Sequence, residues 1–331
     1  MKKYTEELLQ GLKDSARIQM DGDLKMIAKH APDAFEPAAI DPRMLQGKTG
    51  KMFKLLPWIP KFFLKVDTRP ENVPKLRESM NVTIDINCVD SDIQITNTTV
   101  SAPDGYAIPI RIYRSEECKP NCPCLYYMHG GGLIAGTLDM YDEPLKMFVE
   151  KNHMVVVSVD YRLLPENPYP TPHEDCFTVL KWVYKNTDFL GVSKEHIFVC
   201  GDSGGGNVTQ YCSTKSKGTN MIRGQLLLYP SLNMFLVEDK YYKPSMDKFE
   251  FAHKERRIAK RLIEIGPSTM NATTTILNVA KPDEYINPYI SDPAGNPPTF
   301  FSFGELDYLK LDSIGWAHKL HQRRVVCEPI Q

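Results

Sequence analysis

The sequence predicts one large α/β unit built on a doubly wound, mostly parallel sheet. Two patterns carry that expectation. Short apolar runs bounded by breakers alternate with longer helical stretches, which is the rhythm of strand–helix–strand units. Four of five such runs also end in glycine-rich or polar sequence, at the carboxyl ends where open α/β sheets bind their ligands. A chain of 331 residues, 42% hydrophobic and 24% charged, is long enough and apolar enough to bury the core that such a sheet needs.

Residues 1–20 read as an amphipathic helix with charges throughout and without the apolar run of a signal peptide. Residues 1–75 as a whole mix helix-like and loop-like sequence. From Val82 the texture becomes alternating, with Val82, Ile84 and Ile86 and then Ile93 and Ile95 apolar. A turn at Pro103-Asp104-Gly105 followed by alternation over 107–113 predicts a hairpin. Buried parallel strands are expected over 124–128, 154–159, 196–200, 226–229 and 299–303, with a final strand over 325–330. Helices are expected over 175–185, 205–215 and 312–323. Between 231 and 281 lies a charged insert, helical over 247–265. The organisation expected is an α/β domain over 76–331, interrupted by that insert, with 1–75 plus 232–282 forming a helical cap or lid over the strand ends. No internal repeat is present.

Composition excludes several classes. Forty basic against 41 acidic residues leave a net charge of -1. No single-sign block marks a nucleic-acid surface. The longest apolar stretches are strand-sized, so no membrane span is expected, and the location expected is cytoplasmic. The eight cysteines then read as reduced thiols. Cys118, Cys122 and Cys124 lie close together, but no second pair completes a zinc set, so no metal is assigned. The sequons at Asn81, Asn97, Asn207 and Asn271 read as chance matches.

The chemistry concentrates at two strand ends. Gly201-Asp202-Ser203-Gly204-Gly205 fits the G-x-S-x-G nucleophile elbow, with a strand before it and a helix after it. Glycines flank the serine because the turn is tight and neighbouring Cβ atoms would clash. A phosphate loop is the competing reading of a glycine-rich βα turn. It fails because no Gly-Lys-Ser/Thr follows and the G-x-G-x-x-G spacing is absent. His129-Gly130-Gly131-Gly132 ends an earlier strand, as an oxyanion loop does. The amides of Gly131 and Gly132, with that of Gly204, would donate to the oxygen of a tetrahedral intermediate. His129 belongs to that loop and reads as structural.

These motifs, with Asp160-Tyr161-Arg162-Leu163-Leu164-Pro165-Glu166 between them, resemble the hormone-sensitive-lipase-type esterases. Leu164 and Gly204 stand where that family usually has alanine. The resemblance runs from about Val82 to the C-terminus. It implies an α/β-hydrolase fold with a helical lid, an acyl-serine mechanism at Ser203, small to medium acyl esters as substrate, and no cofactor. Asp307, in Gly304-Glu305-Leu306-Asp307, matches the family's acid, with Glu305 as competitor and Asp312 as the second aspartate.

In this fold the triad follows the order serine, acid, histidine. The sequence reaches Gln331 just after the last predicted strand, so the histidine loop at the C-terminal end of the fold is expected to be missing. His318 and His321 fall inside a predicted helix, His173 begins a helix after Pro170-Thr171-Pro172 and reads as structural, and His30, His153, His196 and His253 lack a motif. A fragment, a natural truncation and a non-catalytic small-molecule-binding protein on the same fold are the competing expectations, with an amidase or peptidase as a further class. Poor ester hydrolysis is expected of this chain alone. The expected partner is a small-molecule ester, and a homodimer is left open.

Overall fold

The computed structural model describes residues 5–30, 38–41, 45–59, 67, 69–83 and 87–331. Among the described residues ten strands form one sheet: β1 (Arg17–Asp21), β2 (Leu24–Ala28), β3 (Gln94–Ser101), β4 (Ala107–Arg114), β5 (Cys122–Met128), β6 (Val155–Val159), β7 (Val192–Asp202), β8 (Gly224–Leu228), β9 (Thr299–Ser302) and β10 (Cys327–Ile330). Their spatial order is β1-β2-β10-β9-β8-β7-β5-β6-β4-β3. The run from β2 through β6 is parallel, while β1 and the β3–β4 hairpin are antiparallel. All five predicted parallel strands are present, each within a few residues of its expected bounds.

Helices connect and cover the strands: α1 (Glu6–Asp14), α2 (Gly47–Leu55), α3 (Val73–Met80), α4 (Asp142–Asn152), α5 (Thr171–Lys185), α6 (Thr187–Leu190), α7 (Gly204–Lys215), α8 (Arg256–Leu277) and α9 (Lys310–Gln322). Parallel strands buried on both faces need apolar residues on both, and every residue of β6 is buried. Helix α7 is buried from Gly204 through Thr214, so the element that follows the elbow forms part of the core.

Three places differ from the sequence reading. Helix α1 stops at Asp14, and residues 17–28 are a hairpin on the sheet rather than part of a helical cap. The reason is a period-two pattern in β2, where Leu24, Met26 and Ala28 are buried and Lys25 is exposed. Leu24 and Met26 pack with Phe301, Trp316 and Leu320 in a second core cluster beneath α9. Alternation at Val82, Ile84 and Ile86 suggested another strand. Residues 84–86 lie outside the described ones, while Val82 is exposed and in no strand. The insert's helix also begins and ends later than expected, at Arg256–Leu277.

Candidate active site

Strand β7 delivers Ser203 to the carboxyl edge of the sheet, and α7 begins one residue later. Ser203 has φ +53° and ψ -119°, a conformation that L-residues rarely adopt and that marks a tight, strained bend. Backbone bonds to the end of β8 and to the segment after it hold the bend. The Ser203 amide donates to Leu228 O at 2.9 Å, and the Ser231 amide donates to Ser203 O at 2.9 Å. The serine itself is half-buried, and its hydroxyl has no hydrogen-bond partner among the described residues. The bend requires glycines for reasons of space. A Cβ on Gly205 would lie 2.1 Å from Met128 O, so only a bare backbone lets α7 dock on the end of β5.

The glycine loop after β5 meets this bend directly. A Cβ on Gly204 would lie 3.1 Å from both Cα and N of Gly132, so the helix start and the loop are in contact. Gly131 and Gly132 take φ +114° and +62°, which turns the loop back on itself. The Ala135 amide closes that turn onto Gly131 O at 3.0 Å.

His129 is buried and stacks on Tyr161, with ring centroids 4.3 Å apart. Its Nδ1 lies 2.8 Å from Gly130 O, and Tyr161 Oη donates to His129 O at 2.7 Å. Burial brings its pKa down to about 4, so the ring is neutral near pH 7 and anchors the loop.

Asp202, inside the elbow motif, is the group that joins the two parts. Its buried carboxylate accepts from Gly130 N–H at 2.7 Å, Tyr127 Oη at 2.6 Å and Tyr141 Oη at 3.2 Å. Burial raises its pKa against the opposing pull of those three donors. The sequence carried a signal for this role, since Asp202 is the one carboxylate within the elbow.

The segment Asp160–Glu166 is explained by similar ties. Arg162 holds Asp175 through two bonds of 2.8 and 2.7 Å. Arg77 of α3 donates to Ile134 O at 2.7 Å and pairs with Glu166 at 2.8 Å, which fastens the N-terminal region to the glycine loop.

Asp307 follows β9, two strands from β7, which is roughly 10 Å across the sheet. Its Oδ1 accepts the Leu309 amide at 2.9 Å, Oδ2 has no partner among the described residues, and burial raises its pKa. The competitor Glu305 is already engaged, by Lys310 Nζ at 2.6 Å, the Glu250 amide at 2.7 Å and Gln331 Nε2. Asp312 is fully buried in α9 and accepts the amides of Leu232 and Asn233 at 2.9 and 2.8 Å. Asp307 lines a cavity of about 620 Å³, together with Tyr308, Leu262 and His30.

No hydrogen bond or ion pair joins Asp307 to a histidine among the described residues. His318 is largely buried on the flank of the sheet, stacked on Tyr241 and within 3.3 Å of Asp21. The β1–β2 hairpin thus covers a residue that reads as partly exposed from sequence. His321 remains half-exposed near Asp23. His173 is buried with Nε2 3.0 Å from Asn207 Oδ1, a structural tie to the Gly204-Gly205-Gly206-Asn207 turn. His30 lacked any sequence motif, and only the placement of β2 beside β10 brings it to the cavity of Asp307. Among the described residues no cluster of histidine, cysteine and acidic side chains could hold a metal; Cys118, Cys122 and Cys124 enter and line β5 as buried or nearly buried free thiols.

A serine on a strand–turn–helix bend, facing a glycine loop from a separate strand, is the arrangement that defines the α/β hydrolases. The chain belongs to the alpha/beta hydrolase fold family, which matches residues 125–331. It is 31% identical over 237 residues to the carboxylesterase NlhH of Mycobacterium tuberculosis, covering 69% of this chain and 70% of that protein. The esterase LipI of the same organism is 34% identical over 203 residues, covering 60% and 59%. Among solved structures, the hyperthermophilic esterase of the archaeon Pyrobaculum calidifontis superposes with a TM-score of 0.64 at 25% identity, over 88% of this chain and 90% of that one. No helix among the described residues is long and apolar enough to cross a membrane.

Proposed function

We propose that this chain is a serine carboxylic ester hydrolase, esterase- or lipase-like, that cleaves small to medium acyl esters through an acyl-serine intermediate. Ser203 Oγ attacks the ester carbonyl and gives up its proton to a base. The amides of Gly131, Gly132 and Gly204 donate to the oxyanion. The alcohol leaves with a proton, and water then releases the acid from Ser203. Asp307 orients the base and stabilises its protonated form. A helical cap from the N-terminal region and the insert covers the site. The observation that supports this reading most is the strained bend at Ser203, with Gly204 held against Gly132. Strain of this kind persists where surrounding structure enforces it, and it clusters at reactive groups. The carboxylesterase and esterase relatives add to it.

The second reading is a small-molecule-binding protein without catalysis. It draws on the lack of a histidine partner for Asp307 among the described residues. A fluorophosphonate probe separates the two. Covalent labelling at Ser203, lost in Ser203→Ala, together with turnover of short p-nitrophenyl esters, supports the hydrolase. Saturable binding of the probe without any adduct would leave the binding protein.

A further inference from the structure

Between Asp41 and Asp67 the sequence carries Arg43, Lys48, Lys51, Lys54, Lys61 and Lys65 and not one acidic residue, in a chain whose net charge is -1. The described part of this stretch presents that charge together with large apolar side chains. Lys51, Lys54 and Leu55 follow the i, i+3, i+4 spacing of one face of α2, Trp58 closes the 3-10 turn Leu56–Trp58 that continues it, and all four are exposed. Leu55 is 58% exposed and Trp58 77%. The face rests on a built support. Leu56 is buried beneath it, and Arg261 of α8 donates to Leu56 O at 3.2 Å and to Ile59 O. Arg261 is itself neutralised by Glu264 at 3.0 Å. Arg257, one turn before Arg261 on α8, and Lys260, next to it in sequence, flank Trp58 and Ile59 around a shallow depression of about 510 Å³.

We propose that this cationic, tryptophan-bearing platform is a peripheral docking surface for anionic lipid bilayers. Singly exposed apolar side chains are ordinary, whereas apolar side chains grouped within a rim of charge are the kind of patch that marks an interaction site. The charge around them selects the partner: lysines and arginines attract an anionic headgroup layer, while tryptophan and leucine enter the headgroup–acyl boundary. The platform continues into the candidate active site through α8. Gly266 lies against the Tyr308 ring beside Asp307, and Thr273 approaches Gly132.

Flotation with vesicles of pure phosphatidylcholine and of phosphatidylcholine with a third phosphatidylglycerol tests this without any substrate. The proposal is therefore independent of the hydrolase reading, and Ser203→Ala should partition as the parent does. At low salt the chain is expected to bind the anionic vesicles at least about tenfold more strongly than the neutral ones, and high salt should remove the difference. Trp58→Ala and the double reversal Lys51→Glu/Lys54→Glu should each weaken partition about tenfold or more, whereas Lys119→Glu, in the turn before β5 at the amino ends of the parallel strands, should change it less than about twofold. The replaced side chains are exposed, so circular dichroism and thermal midpoint should hold. Failure to float at low salt, equal partition on both vesicle types, or parent-like partition of the Trp58 and lysine variants would overturn the proposal. Self-association abolished by Trp58→Ala without vesicle binding would overturn it as well, in favour of a second copy as occupant.

Discussion

Replacing Asp202 by alanine and by asparagine tests whether the elbow and the glycine loop work as one unit. The buried carboxylate takes the Gly130 amide at 2.7 Å and the Tyr127 hydroxyl at 2.6 Å on one oxygen, and Tyr141 at 3.2 Å on the other. Alanine leaves the Gly130 amide and Tyr127 without an acceptor. Each buried unpaired donor costs about 1–3 kcal/mol, so the unfolding free energy should fall by about 2–6 kcal/mol. The loop would also lose the tie that holds Gly131 and Gly132 opposite Gly204. Misplacing one oxyanion donor raises the barrier by about 3 kcal/mol, or roughly a hundredfold in rate. Asparagine keeps an oxygen for Gly130 and Tyr127 and offers its amide to the Tyr141 oxygen. It should stay within about threefold of the parent on the same reasoning. The assay is the second-order rate constant for phosphonylation of Ser203, read beside urea denaturation. A folded alanine variant that reacts as fast as the parent would refute the coupling. An asparagine variant as slow as alanine would mean that charge, not geometry, is what Asp202 supplies.

Burial raises the Asp312 carboxyl from 3.8 to about 7. Between those pH values the folded chain keeps a proton that the unfolded chain has released, so this group's contribution to stability falls as pH rises through about 4 to 7, by at most about 4 kcal/mol. Asp312→Asn retains an acceptor for the Leu232 and Asn233 amides. Its stability relative to the parent should therefore climb across that window and level off above it, and urea titrations giving a constant difference would contradict this. Gly205→Ala sets a Cβ 2.1 Å from Met128 O and 2.4 Å from His129 O, both backbone atoms. It should lower the unfolding free energy by about 3 kcal/mol or prevent folding, checked by thermal denaturation. Arg77→Met keeps the apolar stem but loses the bonds to Ile134 O, Leu164 O and Glu166. A loss of about 1–2 kcal/mol is expected, with slower phosphonylation than the stability change alone would produce.

The features legible in the sequence were those that local geometry enforces. A serine between glycines at a strand end has few other uses, because the bend tolerates no neighbouring Cβ where α7 meets β5. The parallel strands were legible because burial on both faces demands unbroken apolar runs. The hairpin over 17–28 was not, because residues 1–20 also satisfy a helical pattern. Its strand form depends on β10 and α9 offering Leu24 and Met26 a place to pack. Among the carboxylates, Asp307 was expected as the acid through the family resemblance alone, while the roles of Asp202 and Asp312 were undecided at the level of sequence. Asp202, Asp307 and Asp312 all follow or enter strand–helix turns, and each takes its character from donors far along the chain or from their absence. The tie of Arg77 to Glu166 joins residues 89 positions apart. Bond-making at that range is set by the sheet order, and only the folded chain decides it.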